Sequence, residues 1–385
     1  MSGSSALWLK AKGAAFSLGE APPVAPGPGM IAVRNRAIAV NPVDRMLPAI
    51  GDLITPWLRY PAILGSDVAG EVVAVGAGVT RFRVGDRVLG HAVGVEKDRN
   101  DPAEGAFQTV SLLLEHMASP IPDGLGFDQA AVLPLGLSTA ACGLFQPDFL
   151  ALQPPRAAPP AQGETVVVWG GSTSVGANAI QLAVAAGYEV VTTASPRNFD
   201  YVLGLGAACA FDYRSRTAVR DITAHLRGRR LAGVLAIGAG AIRACIDIAG
   251  ASQGRRFVAV ATPPAAFDRV KAGTGRIFQL VPAVFGMLTA NVALALRARA
   301  AGVTTKMIWG GSLLGNAVGP MIYADFLPGA LAEGRYRAAP PALVVGEGLG
   351  AIPAALDRLG QGVSAQKVVV TLPGEGSGQG PATVP

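Results

Sequence analysis

The stretch 164–198 constrains the fold of this chain more than any other. Val166, Val167, Val168 and Trp169 make a short apolar, β-branched segment of the kind that fits a buried parallel strand. Gly170, Gly171, Ser172, Thr173, Ser174, Val175 and Gly176 follow at once, small residues where a chain leaving a strand must reverse and can bring its amides against a phosphate. Ala177, Ile180 and Val184 give the next segment an apolar helical face, Gly187 ends it, and residues 188–193 supply a second strand. A glycine-rich turn alone is equally an ordinary strand-to-helix connection; the strand before it, the helix after it and the second strand beyond make it a dinucleotide fingerprint. The spacing keeps the first glycine loosely. Ser172 or Thr173 stands where a middle glycine is common, with a hydroxyl that can donate to phosphate.

The end of the second strand selects the dinucleotide. An NAD site closes this strand with Asp or Glu, which accepts from the ribose 2′-hydroxyl. Here the chain reads Thr193, Ala194, Ser195, Pro196, Arg197, Asn198, with Glu189 at the wrong end of the strand and Asp200 already in the next helix. A carboxylate repels a 2′-phosphate, whereas Ser195, Asn198 and the Arg197 guanidinium donate to it, so NADP(H) is expected. The bland alternative is that Arg197 is a solvated charge at a helix start.

Length and composition bound the rest. With 385 residues, 50% hydrophobic and 15% charged, the chain is globular and long enough for two domains. Its net charge of +6 is spread out, with Arg227, Arg229 and Arg230 the only tight cluster, so a nucleic-acid partner is not expected. Cys142, Cys209 and Cys245 lie far apart without a CxxC pair and read as reduced thiols of a reducing, cytoplasmic compartment. Residues 1–10 lack the basic and apolar regions of a secretory signal. Residues 277–296 are nearly long and apolar enough to cross a bilayer, yet Gln279, Pro282, Thr289 and Asn291 interrupt them. A buried strand and helix, and no membrane, is the expectation there.

In chain order, residues 30–40 read as extended and Asn41, Pro42, Val43, Asp44 as a turn. Short β-branched runs punctuated by Gly65, Gly70, Gly76, Gly85 and Gly90 read as a small antiparallel barrel, with another strand starting at Gly105, Ala106, Phe107. A strand is expected over 256–261 after a helix through Ile242 and Ile246, an exposed helix over 323–334, and late strands over 343–346 and 367–372. Residues 153–163 read as a linker and 373–385 as a disordered tail.

The barrel block, Ile121 to Leu125, Leu133, Pro134 and the nucleotide unit together resemble the medium-chain dehydrogenase/reductase superfamily, over residues 30–262 and again over 363–372. The resemblance implies an α/β fold: a GroES-like β-barrel catalytic domain plus a Rossmann doubly wound parallel sheet. It divides the chain into 1–136 (catalytic), 137–335 (Rossmann), 336–372 (return to the catalytic domain) and the tail. Asn41 to Asp44, Gly170 to Val175, Ser195 to Asn198, Phe211 to Tyr213 and Ser364 to Lys367 are most similar to fungal trans-acting enoyl reductases that partner polyketide synthases and use NADPH.

That likeness implies that Val43, Asp44, Arg45 and Met46 lie along the cofactor and that Ser172, Thr173, Ser174 and Val175 hold the pyrophosphate. Ser195, Arg197 and Asn198 would surround the 2′-phosphate, with Tyr213 over the adenosine end, Val260 and Ala261 at the nicotinamide side, and Ser364 and Ala365 closing the cleft. Pro134, Leu135, Gly136, Leu137, Ser138, Thr139 and Ala140, continuing to Cys142, together with Leu280, Val281, Pro282, Ala283 and Val284, would line the substrate side. The chain also departs from its zinc-dependent relatives. It has no Cys near the Asn41 turn and reads Gly65, Ser66, Asp67 where they have Gly-His-Glu, so no metal is expected. His91 and His116 then read as surface or barrel-loop residues. Met46 stands where some relatives carry a lysine, and residues 285–340 look enlarged.

Without a metal to polarise oxygen, reduction of an activated double bond is the accessible chemistry, with hydride going to the β-carbon of an α,β-unsaturated carbonyl. Thr139, Ser138 or a backbone amide are the candidates for holding the enolate oxygen, and solvent serves as proton source. A quinone or enone reductase shares every motif above, and a cofactor-binding scaffold without turnover is the rival from another class. A small-molecule or carrier-bound enoyl substrate is implied, with a monomer or homodimer as the assembly.

Overall fold

The protein was analysed as a computed structural model that describes residues 4–263 and 276–373; the expected tail beyond Pro373 lies outside the described residues. Strands β1 (Ser5–Leu9), β2 (Phe16–Glu20), β3 (Met30–Ala39), β4 (Ala62–Ile63), β5 (Asp67–Val75), β6 (Arg87–His91), β7 (Val110–Leu114) and β8 (Ala118–Pro120) form the first lobe, with helix α1 (Pro42–Ile54) following β3. β3, β5, β6 and β8 run antiparallel side by side, and β7 adds to β3. Alternation along these strands builds two cores from one sheet. Ile31, Val33, Ile38, Val68, Val72 and Val88 fill the barrel, while the small Ala32, Ala37, Ala39 and Ala69 on the opposite face let the second lobe approach closely.

α2 (Phe127–Ala130) and α3 (Pro134–Phe145) lead into the second lobe. There follow β9 (Glu164–Trp169), α4 (Ser174–Ala185), β10 (Glu189–Ala194), α5 (Phe199–Gly204), β11 (Cys209–Asp212), α6 (Ala218–His225), β12 (Arg230–Ala236), α7 (Ala241–Ala251), β13 (Phe257–Val260), α8 (Arg276–Ala301) and β14 (Thr304–Met307). The strand order is β11-β10-β9-β12-β13-β14, parallel throughout, which is the doubly wound order of a dinucleotide-binding sheet. Val166 and Val168 enter one core and Val167 and Trp169 the other, so both faces of β9 are buried and its sequence reads as one apolar run. The direction of winding reverses between β9 and β12, where such sheets open a ligand crevice.

After α9 (Val318–Pro320) and α10 (Leu327–Ala332), β15 (Ala342–Glu347), α11 (Ile352–Gly360) and β16 (Lys367–Thr371) return to the first lobe. β16 inserts between β15 and β3 and pairs antiparallel with β3 at Ala37 to Ala39. The first lobe is thus built from both ends of the described chain.

Four local expectations are corrected. Residues 105–107 are not a strand; Gly105 passes so close to Ile63 that a Cβ would lie 2.2 Å from its carbonyl oxygen, and after a single bridge between Gln108 and Ala6 the next strand begins at Val110. Residues 277–296 are not a buried strand and helix but part of the single helix α8, most of which is exposed. Its residues are mostly apolar, and only one side meets the protein. Residues 323–334 are not an exposed helix: a π-helical turn over Met321–Phe326 runs into α10 and buries Tyr323 and Leu327 completely. His91 is not a surface residue; at the end of β6 it is 1% exposed.

Candidate functional site

The turn between β9 and α4 lies at the crevice. Gly170 has φ +94, and a Cβ there would stand 2.7 Å from the Ile237 carbonyl oxygen; one on Gly176 would stand 2.2 Å from that of Gly170. Only glycine permits this folding of helix start onto strand end. Thr173 caps α4: its Oγ1 accepts from the Gly176 amide at 3.0 Å and donates to the Gly170 carbonyl at 2.8 Å. The Thr173 hydroxyl expected on phosphate is therefore spent on the turn. The Ser174 hydroxyl, in contrast, is buried beside Gly136 with no hydrogen-bond partner. Free amides at the start of a 12-residue helix and an orphaned donor beside them fit an anionic diphosphate.

One strand over, the end of β10 meets the C-terminal segment. Ser195 is buried, and Asn198 Nδ2 donates to Ser364 Oγ at 3.1 Å, tying the two lobes across the cleft. Arg197 is exposed and makes no hydrogen bond or ion pair among the described residues. Tyr213 is half-exposed with the Arg214 guanidinium over its ring, while Asp212 is occupied by the Arg214 amide. Ala365, with φ +50, shapes the segment that reaches the cleft. Residues 193–198, at the end of β10, present the donors Ser195, Arg197 and Asn198 and contain no carboxylate.

Of the residues expected along the cofactor from the first lobe, Val43 and Met46 are half-buried at the start of α1. Asp44 faces inward instead. Its Oδ2 accepts from the Asn41 amide at 2.8 Å, and its Oδ1 is buried without a partner. Burial raises its pKa to about 7; nearby Asp67 adds to the rise, while the Asn41 amide and Lys367 oppose it. Arg45 lies against Gly360 of α11. Val260 and Ala261 end β13 at the same edge of the sheet as the turn, where the Ala261 amide donates to the Ala236 carbonyl.

Behind this turn sits a cluster that sequence reasoning missed. Asp67, fully buried, accepts from Asn41 Nδ2 at 2.9 Å and pairs with Lys367 Nζ at 2.8 Å, and Lys367 also donates to Asn41 Oδ1. Its other oxygen accepts the Leu135 amide at the first turn of α3. The three parts of the chain that make the cleft are thereby locked to one buried carboxylate.

α3 carries the expected catalytic hydroxyls, and they differ. Ser138 is fully buried between His91 Nδ1 at 2.9 Å and Tyr323 OH at 2.7 Å, and Tyr323 OH also meets the Pro134 carbonyl at 2.8 Å. It does not open onto the cleft, so its expected role on an enolate is withdrawn. Burial depresses the His91 pKa to about 4 against the pull of Asp67, leaving a neutral ring. Thr139 is half-buried beside Gly310, its Oγ1 donating to the Leu135 carbonyl at 2.8 Å. Pro134, Gly136, Leu137 and Ala140 are buried in α3 as packing, with Leu135 partly open. Leu280, Ala283 and Val284 pack on Met46, Ala49 and Ile50 of α1, but Val281 and Pro282 point to solvent and line no cleft.

A second missed group lies beside α3, where the Trp309 carbonyl meets Cys142. Trp57 and Trp309, from different lobes, meet edge-on at 6.4 Å between ring centroids, and Trp309 Nε1 donates to Glu96 at 2.7 Å. Burial raises the Glu96 pKa, the Trp309 bond opposes the rise, and Asp98 adds to it. Among the described residues, no three His, Cys, Asp or Glu side chains stand close enough to hold a metal ion.

Residues 27–123 match the alcohol dehydrogenase GroES-like domain. Along 369 residues, 95% of this chain and 99% of the relative, the sequence is 47% identical to the dehydrogenase pigH of Monascus ruber. It is 36% identical over 351 residues, 89% of each chain, to the trans-enoyl reductase himH of Aspergillus japonicus. The fold is similar to an alcohol dehydrogenase superfamily protein from Novosphingobium aromaticivorans, with a TM-score of 0.70, 25% identity and coverage of 96% and 100% of the two chains.

Proposed function

The chain is an oxidoreductase of the medium-chain dehydrogenase/reductase superfamily, and on that premise we propose that it is a zinc-independent, NADPH-dependent enoyl reductase that acts in trans on polyketide intermediates. The fold of this superfamily binds a nicotinamide cofactor, and the donor-rich end of β10 favours the 2′-phosphorylated form. The observation that carries the enoyl reading is the likeness, along most of both chains, to a relative named for that activity. Zinc independence is supported by Asn41, Ser66 and Asp67 where a zinc enzyme would present ligands.

In this reading the bound coenzyme supplies hydride to the β-carbon of an α,β-unsaturated thioester. The chain's own residues bind and orient. The α4 start and Ser174 hold the diphosphate, and Ser195, Arg197 and Asn198 hold the 2′-phosphate. Thr139 can turn its hydroxyl from the Leu135 carbonyl to the thioester oxygen, where negative charge develops, and solvent returns the proton at the α-carbon. The division at residues 136/137 and 335/336, a cytoplasmic location and a polyketide synthase as partner belong to the same proposal.

A spectrophotometric screen of enoyl thioesters, enones and quinones with NADPH and with NADH tests it. Oxidation of NADPH by an enoyl thioester is the expected result. Turnover confined to small quinones would assign the chain to detoxifying reductases, and no oxidation with any acceptor would leave a scaffold that binds cofactor without turnover.

A further inference from the structure

α8 is mostly apolar, broken by Gln279, Thr289 and Asn291, although only one side is covered. Leu280, Ala283, Val284 and Met287 pack on α1, and Leu294 and Ala298 join the core beside α7. The opposite side exposes Phe278 (82%), Val281 (63%), Phe285 (68%), Leu288 (55%), Val292 (61%) and Leu296 (64%). Water-facing apolar side chains in such a row mark a surface that is covered in the working protein.

The row itself indicates what covers it. Its steps from 278 to 292 are three, four, three and four residues, the period of a seam into which a second helix interdigitates. Beside it runs a row of smaller residues, Pro282, Gly286, Thr289 and Ala293, and nothing stands within 4 Å of a Cβ on Gly286. A large row beside a small row is self-complementary: turned about a two-fold axis, each fills the other. No charged residue occurs between 277 and 296, and Arg297 at the far end is tied to Asp247 at 2.6 Å. By length and composition α8 could cross a membrane, but one of its sides is packed on α1 and beside α7, and its charges lie only near its ends, at Arg276, Arg297 and Arg299, not along a polar side as in a helix that lies in a lipid interface. At roughly 100 Å² for each of six side chains, the row removes about 600 Å² from each copy, about 1,200 Å² in total, the lower bound of a stable interface.

We propose that α8 is the seam of a homodimer in which two copies pair their α8 helices antiparallel. The pairing places the N-terminal half of one α8 beside the C-terminal half of its partner, so opposite helix dipole ends are adjacent. Because Leu280, Ala283 and Val284 rest on α1, the seam lies across α8 from Met46, Ala49 and Ile50.

Light scattering after size exclusion, with sedimentation equilibrium between 1 and 100 µM as roughly chosen limits, reads the outcome. The expected mass is twice 39.0 kDa, and Phe285→Glu with Leu288→Glu should give the 39.0 kDa monomer with at least about a 100-fold weaker association. Val281→Lys with Val292→Lys, at positions equally exposed, provides a second monomeric form if the first is poorly folded; unchanged circular dichroism certifies either. A wild-type monomer throughout the range overturns the proposal. So does a dimer that survives both pairs of substitutions, which would have to use another surface such as the exposed edge of β14. Co-flotation of a monomeric wild type with phosphatidylcholine/phosphatidylglycerol vesicles also overturns it and gives the row to lipid.

Discussion

Asp44 offers the sharpest test of how the cleft is held. Its carboxyl ordinarily titrates at 3.8 and is pushed up to about 7 chiefly by burial, with one oxygen orphaned. Between those two values the folded chain retains a proton that the unfolded chain has released. This contribution to stability is therefore fully present below pH 3.8 and is lost as pH rises through 7. From pH 5 to about 7 the folded carboxyl keeps a proton that the unfolded one has released, about two decades at 1.4 kcal/mol each, so by pH 8 about 3 kcal/mol is lost. Asp44→Asn keeps an acceptor for the Asn41 amide but cannot ionise. The unfolding free energy of the variant should fall less than that of the native protein between pH 5 and pH 8, by that same about 3 kcal/mol. Urea titrations followed by the fluorescence of the four tryptophans measure it at each pH. Parallel losses in the two proteins would refute the idea that a buried, protonated Asp44 underlies the turn.

Three further outcomes are expected. Lys367→Ala strands the fully buried Asp67 without its cation and should cost about 3–5 kcal/mol, read as a lower urea midpoint; an unchanged midpoint would mean that the ion pair is not buried in solution. Ser195→Asp sets a carboxylate against the 2′-phosphate and removes a donor, worth about 1.5–3 kcal/mol, so KM for NADPH should rise about 10- to 100-fold while that for NADH does not rise; equal KM changes would remove the 2′-phosphate assignment. Gly170→Ala forces a side chain at φ +94 into the Ile237 carbonyl and should weaken NADPH binding by about tenfold or more in a fluorescence titration; an unaltered Kd would place the diphosphate elsewhere.

What could be read from the sequence follows from how local its causes are. Residues 166–169 are apolar without alternation because both faces of β9 are buried, and the glycines after them are needed by backbone approaches within the same turn, so the unit declares itself in one window. The donors at Ser195, Arg197 and Asn198 are equally local. His91 gave no such signal: its burial depends on Ser138 and on Tyr323, which lies 185 residues beyond Ser138. The Lys367 contact with Asn41 spans 326 residues, and no periodicity joins positions so far apart. Ser138 and Thr139 are neighbours on a helix, and only the packing around α3 shows that one faces the core while the other is partly open. α8 misled for the opposite reason. Its hydropathy is that of a core element, and hydropathy reports what a helix would tolerate around it, not what the rest of the chain provides.

The insertion of β16 between β15 and β3 sets an order of assembly. During synthesis the nucleotide lobe, contiguous from β9 to β14, can close while the last strand is still inside the ribosome, whereas the Ala37–Ala39 end of β3 must wait with its edge bare beyond β7, and Asp67 without its ammonium. A nascent chain halted before Lys367 would therefore carry a closed nucleotide lobe beside an open, aggregation-prone half-barrel. Quality control that senses unpaired edges would find the early lobe, not the late one, defective.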